Sequence, residues 1–110
     1  MFKGNLRKFE VHGGPTPLRK GTLFTFGPWD FSGLERRTLF TYNAGADALD
    51  RGVVMVSPDN VLWGTISATT FNTLGSDVLA WDQFNDTIRW WKIQVAATGG
   101  TGTFSYWWHF

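Results

Sequence analysis

The sequence contains no cysteine, which excludes disulfide bonds, thiolate metal sites and a cysteine nucleophile. It also has no apolar run of the roughly 18 residues that a membrane-spanning helix needs. Its first residues lack the apolar segment of a cleavable signal peptide. We therefore expect synthesis in the cytoplasm and no membrane partner.

Charge is also scarce. Charged side chains make up 17% of the 110 residues, below the roughly 25% of a typical soluble domain. Aromatic side chains make up another 17%, with seven Trp and ten Phe. One domain of this size can bury many of these rings in a core, but few charged groups remain for its surface. The composition therefore favours a homo-oligomer or a docked subunit over a free monomer.

The few charges are unevenly distributed along the chain. Residues 1–20 hold five basic side chains and one acidic one, a net charge of +4, whereas residues 21–110 hold five basic and eight acidic ones, a net charge of −3. The first segment also contains Gly13-Gly14-Pro15-Thr16-Pro17, which we expect to interrupt regular structure and keep the segment out of a sheet. These patterns predict a basic extended arm over residues 1–20 and a folded domain over 21–110.

The folded domain is predicted to be all-β, because β-branched, aromatic and glycine residues dominate and no segment has a convincing helical period. Ser57-Pro58-Asp59-Asn60 is typical of a hairpin turn, and residues 98–101 are predicted to join the last two strands as another hairpin. Short strands at this spacing predict one antiparallel β-sandwich or jelly-roll-like domain. The candidate strands are KFEVH (8–12), TLFTF (22–26), RRTLFTY (36–42), GVVMVS (52–57), VLWGTISAT (61–69), VLAWDQF (78–84), TIRWWKIQVAA (87–97) and GTFSYWWHF (102–110).

The last two candidate strands each have an apolar side, because neighbouring residues of a strand point to opposite faces. Trp90 and Trp107 are then directed away from the core. A loop or the arm of the same chain, another protein, or a sugar ligand would have to cover these two rings. The alternation directs toward the core Trp91 together with Phe104, Tyr106, Trp108 and Phe110.

The sequence contains little that suggests catalysis. His12 and His109 are the only histidines, and neither position suggests the rigid placement of a catalytic triad. Asp77, Asp82 and Asp86 are close in sequence but do not follow a calcium-loop pattern, so turn and surface roles are expected. We predict no enzymatic activity and no cofactor or metal. Nucleic acid is not an expected partner either, since the acidic domain would oppose wrapping by DNA.

The closing segment TIRWWKIQVAATGGTGTFSYWWHF combines an R-x-x-x-I-x-V strand, a G-T-G-T turn and a terminal strand. Together with the composition and the basic arm, it resembles the small β-sandwich virion proteins of tailed bacteriophages, above all capsid decoration (cement) proteins. The resemblance covers the last quarter of the chain. It implies a structural protein at the capsid surface that binds the major capsid protein or other virion subunits and reinforces the shell.

On this interpretation the basic arm and the outward tryptophans would bind the partner. An alternative is a carbohydrate- or receptor-binding module of a phage fibre or tail. In that case exposed tryptophans would stack on sugar rings, and Trp81-Asp82-Gln83 is the stretch that best suits this role. The predicted partner-binding residues are Phe2, Lys3, Arg7, Lys8, Phe9, Arg19, Lys20, Trp90 and Trp107.

Overall fold

The computed structural model describes residues 10–49, 51–66, 74–97 and 102–110, without the side chains of residues 10 and 51. These residues form strands, turns and irregular segments. Within this described part of the chain there is no helix of the length and apolarity that crossing a membrane requires. The strands are β1 (Glu10–Leu18), β2 (Thr22–Asp30), β3 (Arg37–Asn43), β4 (Arg51–Ser57), β5 (Gly64–Thr65), β6 (Val78–Phe84), β7 (Trp90–Ala97) and β8 (Gly102–His109).

The strands form two antiparallel sheets of four. Sheet A has the order β1-β8-β3-β6, and sheet B has the order β2-β7-β4-β5. The pairs β4–β5, β3–β6, β2–β7 and β1–β8 are nested along the chain, so the polypeptide runs as one long double ribbon. Pairing of β3 with β8 and of β4 with β7 joins the rolled ribbon into the two sheets. This is the topology of a jelly roll, and it confirms the predicted all-β antiparallel fold.

The core lies between the two sheets. On β7, buried and half-buried residues alternate from Trp90 to Ala97, as expected for a strand with one face inside. Trp91 on β7 and Trp108 on β8 meet across the sandwich, with ring centroids 5.8 Å apart and planes at 74°. The predicted inward side of the last strand is confirmed. Its members Phe104, Tyr106 and Trp108 are buried, and Phe110 packs against the core while partly exposed.

The predicted hairpin between the last two strands is wrong. β7 belongs to sheet B and β8 to sheet A, so residues 98–101, which lie outside the described residues, connect the two sheets. The strands therefore face each other across the core instead of exchanging backbone hydrogen bonds. Asn85 and Asp86 likewise lie on a connection between sheets, from β6 to β7. A glycine-rich sequence is compatible with a hairpin turn, but it is equally compatible with a connection between strands of two different sheets.

The first described strand corrects the predicted boundary at residue 20. Residues Glu10–Leu18 form β1, which pairs with β8 along most of its length, so the prediction that glycine and proline keep this segment out of the sheet is wrong. The register shifts between Gly13 and Thr16. Gly14 adopts a φ of +95°, and a Cβ there would lie 2.5 Å from the backbone oxygen of Phe104. The sheet thus accommodates the Gly-Pro sequence as a local irregularity at its edge.

The predicted hairpin around Pro58 is confirmed as the β4–β5 pair. The side chains of two turn residues hold its loop. The Ser57 hydroxyl accepts hydrogen bonds from the backbone N–H groups of Asp59 and Asn60, and the Asp59 carboxylate accepts others from Val61 and Leu62. The N–H donors of Leu62 and Val61 lower the pKa of Asp59. This loop is the point at which the double ribbon turns back.

A buried arginine joins two crossing connections at one end of the sandwich. Arg37 is 1% exposed, and its guanidinium carbon lies 4.4 Å from the ring centroid of Trp91. One terminal nitrogen donates to the backbone oxygen of Leu34 at 2.6 Å, and the other donates to that of Asp86. Arg37 therefore links the β2–β3 connection to the β6–β7 connection over the end of the aromatic core.

Candidate binding face

The outer face of sheet A, called the A face below, carries a row of aromatic side chains across its strands. Trp107 on β8 is directly opposite Phe40 on β3, and Phe40 is directly opposite Trp81 on β6. Directly opposed residues share a face of a sheet. Trp107, Phe40 and Trp81 therefore form one row, called the aromatic row below. His12 on β1 continues it, since His12 is opposite Trp107.

The aromatic row borders a shallow depression of about 360 Å³, lined by Phe40, Leu79, Trp107 and His109. Trp81 is 66% exposed and Leu79 is 50% exposed, whereas Phe40 and Trp107 are half-buried. The His109 and Phe40 rings lie 5.2 Å apart. The A face thus combines a flat aromatic surface with large apolar groups in contact with solvent.

Strands β3, β6 and β8 contribute no Lys, Arg, Asp or Glu to the A face. The side chains at their outward positions are either apolar or polar without a formal charge. At the rim of the face, the Tyr42 hydroxyl donates a hydrogen bond to the Asp77 carboxylate. That hydrogen bond raises the pKa of Tyr42. Asp77 therefore contacts this face only at its border. The remaining outward residues of the three strands, by register, are Thr38, Tyr42, Gln83, Thr103 and Ser105.

The outer face of sheet B, called the B face below, also carries indoles, but cations cover them. The ammonium of Lys92 lies 4.2 Å from the ring centroid of Trp63, and the guanidinium carbon of Arg89 lies 5.0 Å from that of Trp90. Arg89 also forms a salt bridge with Asp30 at 2.9 Å. The hydrogen bonds from Arg89 and Ser32 lower the pKa of Asp30 from 3.8 to about 2. Each of these indoles therefore already has a polar partner within its own chain.

The predicted partner-binding residues do not come together in one place. Trp90 and Trp107 are both half-buried and directed outward as predicted, but they lie on opposite sides of the molecule. Arg19 and Lys20 are exposed in the turn between β1 and β2. Of these four, only Trp107 belongs to the aromatic row. The predicted residues Phe2, Lys3, Arg7, Lys8 and Phe9 lie outside the described residues.

The residues considered for chemistry are also dispersed. Within residues 10–49, 51–66, 74–97 and 102–110, no group of three or more His, Cys, Asp or Glu side chains is placed to hold a metal ion. Asp77 contacts Tyr42 at the rim of the A face. Asp82, opposite Leu39, lies on the inner side of β6, and burial raises the pKa of its carboxyl group. Asp86 is exposed on the β6–β7 connection.

Sequence reasoning missed two members of the A face, Phe40 and Leu79. Both lie in strands that were predicted correctly, but each strand has apolar residues on both sides, so alternation alone did not single them out. The missing information is non-local, because residue 40 meets residue 107 only through the β3–β8 register. Trp81 was considered only for sugar stacking, and its local sequence gave no sign that it continues a row from Trp107.

Comparison of the chain with models of known protein families, with curated protein sequences and with solved structures found no match. What the protein does must therefore be inferred from its own residues, and the A face is the surface on which they act together.

Proposed function

We propose that this protein is a structural, non-catalytic virion subunit of the capsid-decoration type, located on the capsid surface, where it docks on the assembled shell through the A face and reinforces it. The observation that carries the proposal is the uncharged aromatic row of Trp107, Phe40 and Trp81. A flat surface of large rings suits contact with another flat protein surface, and contiguous exposed apolar groups of this kind are typical of interaction sites.

The exposed part of the A face sets the scale of the docking energy. Burying the exposed parts of Trp81 and Leu79 would contribute at most about 5 kcal/mol at ~25 cal/mol per Å². Much of that gain is offset by the loss of translational and rotational freedom on association. A single subunit is therefore expected to bind weakly. A shell that offers many equivalent sites would still be stabilised, because every bound copy favours the assembled state by mass action.

A carbohydrate-binding function is the second candidate, and one observation favours it. Gln83 and Thr38 lie in the register row next to the aromatic row on the same face. Their amide and hydroxyl groups would lie beside the exposed indole of Trp81, where they can hydrogen-bond the hydroxyls of a sugar ring stacked on that indole. The jelly roll does not choose between the candidates, because it occurs in both viral capsid and lectin domains.

The experiment compares binding of the protein to empty tailed-phage shells assembled without it and to an insoluble polysaccharide, both by co-sedimentation. The test variant combines Leu79→Ser and Trp81→Ser. The matched control combines Val61→Ser and Leu62→Ser in the β4–β5 loop, where the two side chains are 73% and 71% exposed. Both variants remove exposed apolar area of similar kind, and neither is expected to change the unfolding free energy by more than about 0.5 kcal/mol.

We expect the wild-type protein and the control to sediment with shells, and the test variant to bind at least about tenfold more weakly. Binding to polysaccharide but not to shells, with the same loss in the test variant, would replace the proposal by the carbohydrate-binding candidate. Equal shell binding by both variants would show that the A face is not the docking surface.

A further inference from the structure

The two sheets have four outer edges, and three of them are poorly suited to accept another strand. An edge strand presents unpaired backbone N–H and C=O groups, which proline, bulges and short length make unavailable. β1 contains Pro15 and Pro17 and a register shift, and β2 contains Pro28 and a register shift. β5 is only two residues long. These three edges therefore resist strand addition.

β6 is different. It has seven residues without proline or glycine, and its pairing with β3 continues without a shift from Phe84 to Val78. Within the described parts of the chain, no strand pairs with its other side. Every second residue of such a strand directs its backbone donor and acceptor away from the sheet. β6 is thus a regular edge of seven residues that can accept a further strand.

The side chains of β6 specify what that strand should carry. On the outer side, Leu79 and Trp81 are exposed and would contact apolar groups. On the inner side lies Asp82, partly buried at the edge of the core, and no hydrogen bond or ion pair joins its carboxylate to another described residue. A strand that suits β6 therefore has apolar residues on one side and a cation on the other.

Residues 2–7 of the chain, FKGNLR, have this pattern. In an extended conformation Phe2 and Leu6 fall on one side, and Lys3 and Arg7 fall on the other. The next two residues reverse it, because Lys8 shares the side of Phe2 and Phe9 shares the side of Lys3. We propose that residues 1–9 of a neighbouring copy add to β6 as a fifth strand of sheet A, with Lys3 or Arg7 facing Asp82 and the apolar side continuing the A face. This contact between copies goes beyond docking on a shell and uses an edge instead of a face.

Distance favours a neighbouring copy over the same chain. Glu10 lies at the opposite edge of sheet A, in the register row of Gln83. To lie beside β6 as a fifth strand, the arm would first cross four strand spacings, about 19 Å, and then run along the seven residues of β6, about 23 Å. Nine extended residues span only about 30 Å. An arm from another copy has no such restriction and can pair with the whole strand.

A charge exchange tests the proposal, with self-association measured by sedimentation velocity at micromolar concentrations and low salt. One variant combines Lys3→Glu and Arg7→Glu, a second carries Asp82→Lys, and a third combines all three changes. Two controls change the charge in the same directions elsewhere. They are Arg36→Glu and Glu35→Lys on the β2–β3 connection, both exposed positions.

We expect oligomers of the wild-type protein and of both controls. The arm variant and Asp82→Lys should each weaken self-association by about tenfold or more, and the combined variant should recover most of the loss. Far-UV circular dichroism checks that each variant folds. If Asp82→Lys does not fold, Asp82→Asn replaces it, and it should lower both self-association and the further effect of the arm variant.

A monomeric wild-type protein, unchanged association in the single variants, or no recovery in the combined variant would each overturn the proposal. Shell co-sedimentation of the arm variant keeps the two proposals apart. If the protein binds shells but does not self-associate, docking through the A face stands and strand addition at β6 is overturned. If self-association follows the charge exchange but shells are not bound, strand addition stands and shell docking is overturned.

Discussion

The A face and the B face are built from the same kinds of residue but present different surfaces. Both carry indoles on outward positions. On the B face, Lys92 lies over Trp63 and Arg89 lies over Trp90. On the A face, Trp107 and Trp81 stand on either side of Phe40, and β3, β6 and β8 supply no charge. Each indole of the B face thus has a polar cover, whereas those of the A face extend one another.

The difference shows that membership of a Trp-Trp pair does not by itself determine the role of a tryptophan. Trp90 and Trp107 both belong to Trp-Trp pairs, and both point outward. A cation over an exposed ring is worth roughly 0.5–1 kcal/mol, so Arg89 satisfies Trp90 locally. Trp107 acquires its surroundings from strands far away in sequence. Trp107 therefore forms part of a surface that several strands build together.

The largest expected effect separates Trp108 from its neighbour Trp107. Trp108 is fully buried, so Trp108→Ala should lower the free energy of unfolding by about 3–5 kcal/mol. Trp107→Ala should cost less than about 1.5 kcal/mol because the ring is only half-buried, but it should weaken shell docking. Urea unfolding measures the first quantity and co-sedimentation the second. Similar losses of stability for the two variants would contradict the assignment of the two faces.

The next effect comes from making the A face resemble the B face. Leu79→Arg places a guanidinium on the same side of β6 as Trp81, two residues away. We expect shell binding to fall by about tenfold, while the unfolding free energy changes by no more than about 0.5 kcal/mol, since Leu79 is half exposed. Undiminished shell binding by this folded variant would show that an uncharged surface is not required.

The reverse change makes the B face resemble the A face. Lys92→Met keeps an unbranched side chain near Trp63 but removes the charge. The loss of the cation should cost roughly 0.5–1 kcal/mol of stability and increase binding of a hydrophobic dye. Thermal unfolding and dye fluorescence provide the measurements, with Gln94→Met on the same strand as a control. If both variants behave alike, Lys92 does not cover the indole.

The smallest effect is the acid titration of Asp30. Arg89 and Ser32 hold its pKa at about 2, below the ordinary value of 3.8. A depressed pKa means that the contribution to stability is present above pH 3.8 and is lost as the pH falls toward 2. Arg89→Met should return the pKa toward 3.8. NMR titration of the Asp30 carboxyl measures it directly, and an unchanged midpoint would show that Arg89 is not the cause.

A residue-specific method is needed because the contribution of Asp82 to stability changes with pH in the opposite direction to that of Asp30. Burial raises the pKa of its carboxyl group. Its contribution to stability is therefore present below pH 3.8 and is lost as the pH rises through the folded-state value. A pH series of melting temperatures would mix the two contributions. Asp82→Asn should accordingly give a small gain at neutral pH and none in strong acid.

Local patterns were sufficient to predict most of the strands and the inward side of β8, because the two-residue period of a strand is visible in Phe104, Tyr106 and Trp108. The candidate strand over residues 61–69 is an exception, because only Gly64–Thr65 of its described residues form a strand. The same patterns failed for strand pairing. The composition of residues 98–101 predicts a hairpin, although β7 and β8 lie in different sheets. Gly13 and Pro15 predict that their segment stays out of a sheet, but β1 contains both residues at the edge of sheet A. Local patterns do not predict the aromatic row for the same reason, because the register between two distant strands cannot be determined from the sequence of either strand alone.

The nested pairing of the double ribbon has a consequence for the order of folding. β4 and β5 pair across one short loop. β1, in contrast, can pair only after β8 has been synthesised, because β8 is the last described strand and lies between β1 and β3 in sheet A. Sheet A therefore cannot close until nearly the whole described chain has been synthesised. Loops that are long in sequence slow the search for native contacts. We expect the chain to leave the ribosome with its inner hairpin formed first and its terminal strands joining last.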